Sequence, residues 1–131
     1  MRGRKGFTLI ELMVVILIVA ILAAVAIPIL RGRIDAAKWS EGRAMMGSIA
    51  TAIRAYHAEK GPNGTAPANI VGTGATDLGF LAADLTGTYF TSGMFTLTSV
   101  TMDPLAFEIS CTNANLSPTT YTLNEQGVWG N

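Results

Sequence analysis

The sequence contains one cysteine, Cys111, and one histidine, His57. A lone cysteine excludes an intrachain disulfide, and one residue of each kind excludes a transition-metal centre built from the usual sulfur and nitrogen ligands. Basic side chains stop at Lys60: residues 61–131 carry five acids, Asp77, Asp84, Asp103, Glu108 and Glu125, and no lysine or arginine. These acids are scattered and make no compact loop with the ligand spacing of a calcium site, so no metal is expected. No grouping of nucleophile, histidine and carboxylate and no phosphate-cradling glycine loop is present, so neither catalysis nor a cofactor is expected. Aromatic residues are also few. Within the first 60 residues they are Phe7, Trp39 and Tyr56, too sparse for charge to pass along stacked rings.

What the chain has in excess is hydrophobic length. Residues 7–30 form a run of 24 residues interrupted by one charge, Glu11, and one helix breaker, Pro28. A bilayer core takes about 20 residues of helix, so the run is long enough to span one. A carboxylate inside such a helix costs roughly 2.5–3.5 kcal/mol on insertion scales and normally marks a functional contact. Arg2, Arg4 and Lys5 precede the run, which favours a cytoplasmic N-terminus. An ordinary secretory signal competes with this reading, because Ala24-Val25-Ala26 has the small-x-small form of its cleavage site and would leave Ile27 first. Against it, the run exceeds the 7–15 apolar residues of such signals, and a carboxylate serves no purpose in a disposable segment.

Arg2, Arg4 and Lys5 ahead of Gly6, followed by Phe7-Thr8-Leu9-Ile10-Glu11, resemble the class III signal of type IV pilins and pseudopilins. The resemblance is specific over residues 1–30 and extends loosely to about residue 60. It implies that a prepilin peptidase cuts between Gly6 and Phe7 and N-methylates Phe7. It implies that Glu11, then the fifth residue, serves filament assembly, and that Pro28 kinks the helix. It also implies a single-pass precursor in membrane lipid of the inner membrane, with its head outside the cytoplasm. An inner-membrane assembly platform with an ATPase then lifts the subunit into a helical homo-oligomer at the cell surface. Many members close a C-terminal loop with a disulfide; with Cys111 alone, this chain departs from that pattern.

Beyond Pro28 the helical period resumes. Ile34, Ala37, Met45, Ile49, Ala52, Ile53 and Tyr56 recur at spacings of three and four or their sums, the stripe of an amphipathic helix. The spacing predicts one helix over residues 7–60, roughly 80 Å long at 1.5 Å per residue. Arg43, Arg54 and Trp39 fall on the face assigned to water or to other subunits, and Gly32 softens the region that Pro28 loosens. Residues 31–60 carry Arg31, Arg33, Lys38, Arg43, Arg54 and Lys60 against Asp35, Glu41 and Glu59, a net of +3. With −5 on residues 61–131, a formal net charge of zero hides a basic rod and an acidic head. The two either attract within or between subunits or are merely solvated faces. His57 is expected to cap the helix end or lie on the surface.

Gly61-Pro62-Asn63-Gly64 ends the helix, and the stretch to Gly74 is expected as a surface loop. Residues 77–85 are expected as a short helix or turn, with Leu78, Leu81 and Leu85 on one side. Residues 95–102 and 106–111 are expected as strands joined by the Asp103-Pro104 turn. In the second, Phe107, Ile109 and Cys111 alternate with Glu108 and Ser110, which makes Cys111 a buried small apolar residue. Residues 121–123 and 128–129 flank Asn124-Glu125-Gln126-Gly127 as a closing hairpin. Asn63-Gly64-Thr65 and Asn115-Leu116-Ser117 fit the glycosylation sequon, a pattern common by chance.

The expected fold class is therefore α+β: a long N-terminal helix, half transmembrane and half amphipathic, packed on a small antiparallel sheet of three to four strands. The expected divisions are a leader over 1–6, a transmembrane or filament-core helix over 7–30, its amphipathic half over 31–60 and a globular head over 61–131. The expected function is a structural subunit of a type IV pilus or similar filament. Two alternatives stay open: a pseudopilin of a type II secretion or DNA-uptake system, and a single-pass membrane-anchored binding module. Nucleic acid as a partner is left open.

Overall fold

The computed structural model describes residues 6–131; the leader cations Arg2, Arg4 and Lys5 lie outside them. The described residues fall into two compact units, one ending at Ile34 and one spanning Asp35–Asn131. Helix α1 spans Leu9–Lys60, and its helical assignment continues through Pro28. The sheet elements follow in chain order as β1 (Asn69–Val71), β2 (Asp77–Phe80), β3 (Phe95–Met102), β4 (Leu105–Thr112), β5 (Thr120–Asn124) and β6 (Trp129–Gly130). Two 3-10 turns, Ala82–Leu85 and Ser92–Met94, stand between β2 and β3.

Strands β3 to β6 form an antiparallel sheet in the order β3-β4-β5-β6, within the expected three to four strands. Register places Phe95 opposite Cys111 and Leu97 opposite Ile109; a bulge between Leu97 and Ser99 then brings Val100 opposite Phe107. On the next pair Ile109 meets Leu123 and Cys111 meets Tyr121. The bulge keeps apolar residues on the inner face across an odd residue count, where an unbroken register would turn them outward. Cys111 is buried without exposure, as its alternation predicts, and burial pushes its thiol up to about 12.

Two parts of the head differ from the sequence reading. The loop expected between the helix and Gly74 contains β1, and residues 77–85, expected as a helix or turn, begin as β2 before the 3-10 turn. Strands β1 and β2 pair in parallel with an irregular register. Gly72 at φ 139° and Gly79 at φ 86° adopt backbone open chiefly to glycine. Leu85 is buried, Leu78 half-buried and Leu81 exposed, so the three leucines do not share one face.

The buried face of α1 is also shifted from the expected stripe. It consists of Trp39, Gly42, Met46, Ile49, Ala50, Ile53 and Tyr56, whereas Ile34 is 43 % exposed, Ala37 is exposed, and Met45 and Ala52 are half-buried. Trp39 corrects the reading most. Expected with Arg43 and Arg54 on the face assigned to water or other subunits, it lies fully buried among aromatic rings, 4.9 Å from Phe90 and 4.7 Å from Tyr121 between centroids. Its indole Nε1–H donates to the Pro118 carbonyl at 2.9 Å, the partner a buried tryptophan needs.

Glycine at position 42 makes room for this cluster. A β-carbon there would lie 2.9 Å from Cε1 and Cζ of Phe90, a ring with no exposure of its own. Replacing a helix-interior glycine by a larger residue gains up to about 1 kcal/mol of helix propensity, but overpacking costs about 1–3 kcal/mol. Gly42→Val is therefore expected to destabilise the head by about 1–2 kcal/mol, measured as a lowered thermal midpoint of the fragment 35–131.

Candidate assembly site

The first turn of α1 is organised by a hydrogen-bonded box. Thr8 is the N-cap: its carbonyl accepts from the Leu12 amide at 3.3 Å, and its Oγ1 accepts from the Glu11 amide at 3.3 Å. In return, one carboxylate oxygen of Glu11, Oε2, accepts from the Thr8 amide at 2.9 Å and from the Thr8 hydroxyl at 2.6 Å. This is a capping box with Thr8 at the N-cap and Glu11 at the third helical position, satisfying donors that a helix start otherwise leaves orphaned. The sequence reading singled out Glu11 and passed over Thr8. The Thr-x-x-Glu spacing ahead of an apolar run is the signal that identifies it.

Gly6 and Phe7 precede the helix. Phe7 is 81 % exposed, and among the described residues no atom lies within 4 Å of where a β-carbon on Gly6 would stand. The peptide between them is thus non-helical and sterically open. From Phe7 to Leu30, 17 large hydrophobic side chains are each at least 48 % exposed. Helix α1 is the one helix among the described residues long and apolar enough to cross a membrane, and its most apolar stretch is entirely unburied. Glu11 and Pro28 lie within this helix.

A family profile described as the prokaryotic N-terminal methylation motif matches residues 1–27. The fimbrial protein EcpC of Eikenella corrodens is 42 % identical over 72 residues, 53 % of this chain and 47 % of that protein. Over this N-terminal stretch the chain is similar to fimbrial proteins that share the methylation motif. Another relative, a fimbrial protein of Dichelobacter nodosus, is 38 % identical over 93 residues, 66 % of this chain and 55 % of that protein. The type II secretion system core protein G of Pseudomonas aeruginosa is 44 % identical over 55 residues, 42 % of this chain and 39 % of that protein. The chain spans about half the length, or less, of these curated relatives. No solved structure matches it.

The head fixes its loops to the helix with few charges. The Glu41 carboxylate accepts from the amides of Tyr89 and Phe90 at 3.0 and 3.2 Å, and Asp35 accepts from the Ser117 amide at 3.3 Å. Asn113, a buried polar side chain, donates to the Tyr89 carbonyl at 2.9 Å and accepts from the Asn115 amide at 3.0 Å. His57 is half-buried, with Nε2 3.0 Å from the Met102 carbonyl, so it joins the helix end to β3 and does not cap the helix. Arg43 stacks over Tyr121 at 4.5 Å and Arg54 over Phe107 at 5.4 Å. Arg54 also donates to the Glu125 carbonyl at 2.9 Å. These two arginines, assigned from sequence to water or other subunits, are exposed yet bind the aromatic rings of their own head.

Asp77 accepts from the Asn69 side-chain amide and from the Gly74 amide, both at 2.8 Å, and these bonds lower its pKa. They make the carboxylate a clasp for the β1–β2 connection. Among the described residues no group of three or more His, Cys, Asp or Glu side chains is placed to hold a metal ion.

Proposed function

We propose that the chain is the precursor of a filament subunit, cut between Gly6 and Phe7, N-methylated at Phe7 and polymerised through residues 7–30. The observation that carries this reading is the uncovered apolar face of α1. Taking about 1.5 kcal/mol for each of the 17 large hydrophobic side chains, covering them is worth on the order of 25 kcal/mol. That exceeds the 5–15 kcal/mol by which a whole domain is stable, so the segment requires either lipid or other copies around it. Lipid holds the precursor, with the head outside the cytoplasm, and packed helices of other subunits hold the product. Both surroundings are dry, which keeps transfer between them near balance. Residues 1–6 form the leader removed by a prepilin peptidase, and an ATPase-driven platform in the inner membrane supplies the work of extraction. The role is structural, with no reaction of its own. Pro28 kinks or loosens the helix by withholding one backbone donor.

Mass spectrometry of the mature subunit tests the processing step. The expected N-terminus is a methylated Phe7, and Gly6→Leu is expected to leave the full-length precursor in the membrane, because a side chain then obstructs the open peptide. A mature chain beginning at Ile27 would mean an ordinary signal peptide and end this reading.

A pseudopilin of a secretion system is the second reading, favoured by the likeness to the type II secretion core protein. Electron microscopy separates the two by length: long surface fibres support the pilus, and short structures confined to the envelope support the pseudopilus.

A further inference from the structure

Charges of opposite sign are sorted to different stretches of this chain, and the fold leaves them largely unpaired. Residues 31–60 carry +3 and residues 61–131 carry −5. Among the described residues, however, the ion pair within 4.0 Å is the contact of neighbours Glu59 and Lys60 at 3.0 Å. Lys38, Arg43 and Arg54 are instead taken up by the rings of Tyr89, Tyr121 and Phe107. Arg31 and Arg33 are exposed and make no such contact among the described residues.

The head acids are sorted again by topology. Strands β3 and β5 run in the same direction, both antiparallel to β4, so the β3–β4 and β5–β6 turns stand at the same end of the sheet. Asp103 occupies the first turn and Glu125 the second, while Glu108 is registered opposite Asn124 beside it. The three carboxylates have no hydrogen-bond or ion-pair partner among the described residues, since Glu125 is engaged through its backbone carbonyl.

We propose that Arg31 and Arg33 of one copy dock against the Asp103, Glu108 and Glu125 end of a second copy. The proposal rests on the filament reading above and adds to it which surfaces meet. Complementary patches at different places on one chain make a heterologous, head-to-tail contact, and such contacts propagate into open helices when the rotation does not close. One exposed ion pair contributes little by itself. Repeated at every subunit, the contact excludes wrong neighbours and fixes register.

The test uses the whole chain in the assembling cell, with Arg31→Glu/Arg33→Glu, with Asp103→Lys/Glu108→Lys/Glu125→Lys, and with all five together. Filaments are counted by electron microscopy, and processed subunit is measured in the membrane fraction. Each partial set is expected to lower surface filaments at least about tenfold with processed subunit unchanged, and the combined set to restore them to within about threefold of the unaltered chain. Normal filaments from both partial sets, or a combined set no better than either, overturn the contact. Loss of processed subunit from the membrane in the arginine variant, uncorrected in the combination, assigns the arginines to lipid phosphates and also overturns it. A second measurement covers misfolding of the lysine variant: Arg33→Cys with Glu125→Cys should give a ladder of disulfide-linked copies on non-reducing gels, and neither single variant should. Cys111 is buried and does not interfere. Filaments of the double variant that run only as monomers refute the contact. If the unaltered chain makes filaments, a negative result falls on this contact alone; if it makes none, the filament reading fails and the contact with it.

Discussion

Glu11→Val is expected to leave the subunit processed and resident in the membrane while lowering surface filaments at least about tenfold, the scale of a lost contact of 1–2 kcal/mol per subunit. The argument starts from where the carboxylate finds partners. In this structure they are the amide and hydroxyl of Thr8, so the charge is not bare before assembly. The proposed cleavage after Gly6 would add a second partner, the ammonium of Phe7, which would stay protonatable after N-methylation. Two unit charges 4 Å apart attract by about 4 kcal/mol at an effective dielectric of 20, before desolvation is subtracted. An entering subunit can offer its Phe7 ammonium to the Glu11 of a docked one, and the Thr8 bonds hold that carboxylate at the helix start. Because Thr8 already relieves part of the insertion cost, the gain on docking is smaller than for an isolated charge. On the proposed reading, the role left to Glu11 is chiefly register. Thr8→Ala removes a cap worth about 1 kcal/mol but keeps the charge, so it should reduce filaments less than Glu11→Val. Glu11→Gln keeps the shape and loses the charge. If Glu11→Gln cells carry normal numbers of filaments, the charge has no part in assembly.

The second large effect is in the head. Trp39→Ala is expected to cost about 3–5 kcal/mol, the range for deleting a buried aromatic side chain. It also leaves the Pro118 carbonyl without the indole donor it accepts from at 2.9 Å. Against a domain stability of 5–15 kcal/mol, this puts the fragment 35–131 near its unfolding threshold. At about 4–8 °C per kcal/mol for a domain near 100 residues, its thermal midpoint should fall by more than about 12 °C. Trp39→Phe keeps an aromatic ring in place and should lose much less. A midpoint for Trp39→Ala within about 2 °C of the unaltered fragment would return Trp39 to the outward face expected from the sequence, since exposed substitutions stay within about 0.5 kcal/mol.

That contrast shows which features were readable. The long helix was legible because two independent patterns agree, a long apolar run and then a period of three and four. Strands β3 and β4 were legible because β-branched residues and clean alternation coincide with a proline turn. Trp39 was not, because Lys38 and Arg43 flank it and a side chain's direction on a helix depends on the packing it meets. The parallel β1–β2 pair was not legible either: strands of three and four residues carry too few positions for periodicity, and their pairing depends on a register that only the tertiary fold fixes. At the assembly site Glu11 stood out as a lone charge in an apolar run. Thr8 did not, since its importance lies in a hydrogen bond to that charge.

The stacking of Arg43 and Arg54 on Tyr121 and Phe107 bears on the salinity this head can meet. Dissolved ions screen exposed charges over about 8 Å at physiological ionic strength and about 3 Å at 1 M. A fold fastened by surface ion pairs therefore loosens in brine. Here the helix is joined to the sheet by buried rings, by hydrogen bonds to backbone amides and carbonyls, and by guanidinium groups placed over aromatic rings. Little in that set is a long-range charge interaction, so the thermal midpoint of the fragment 35–131 is expected to change little from fresh water to sea water.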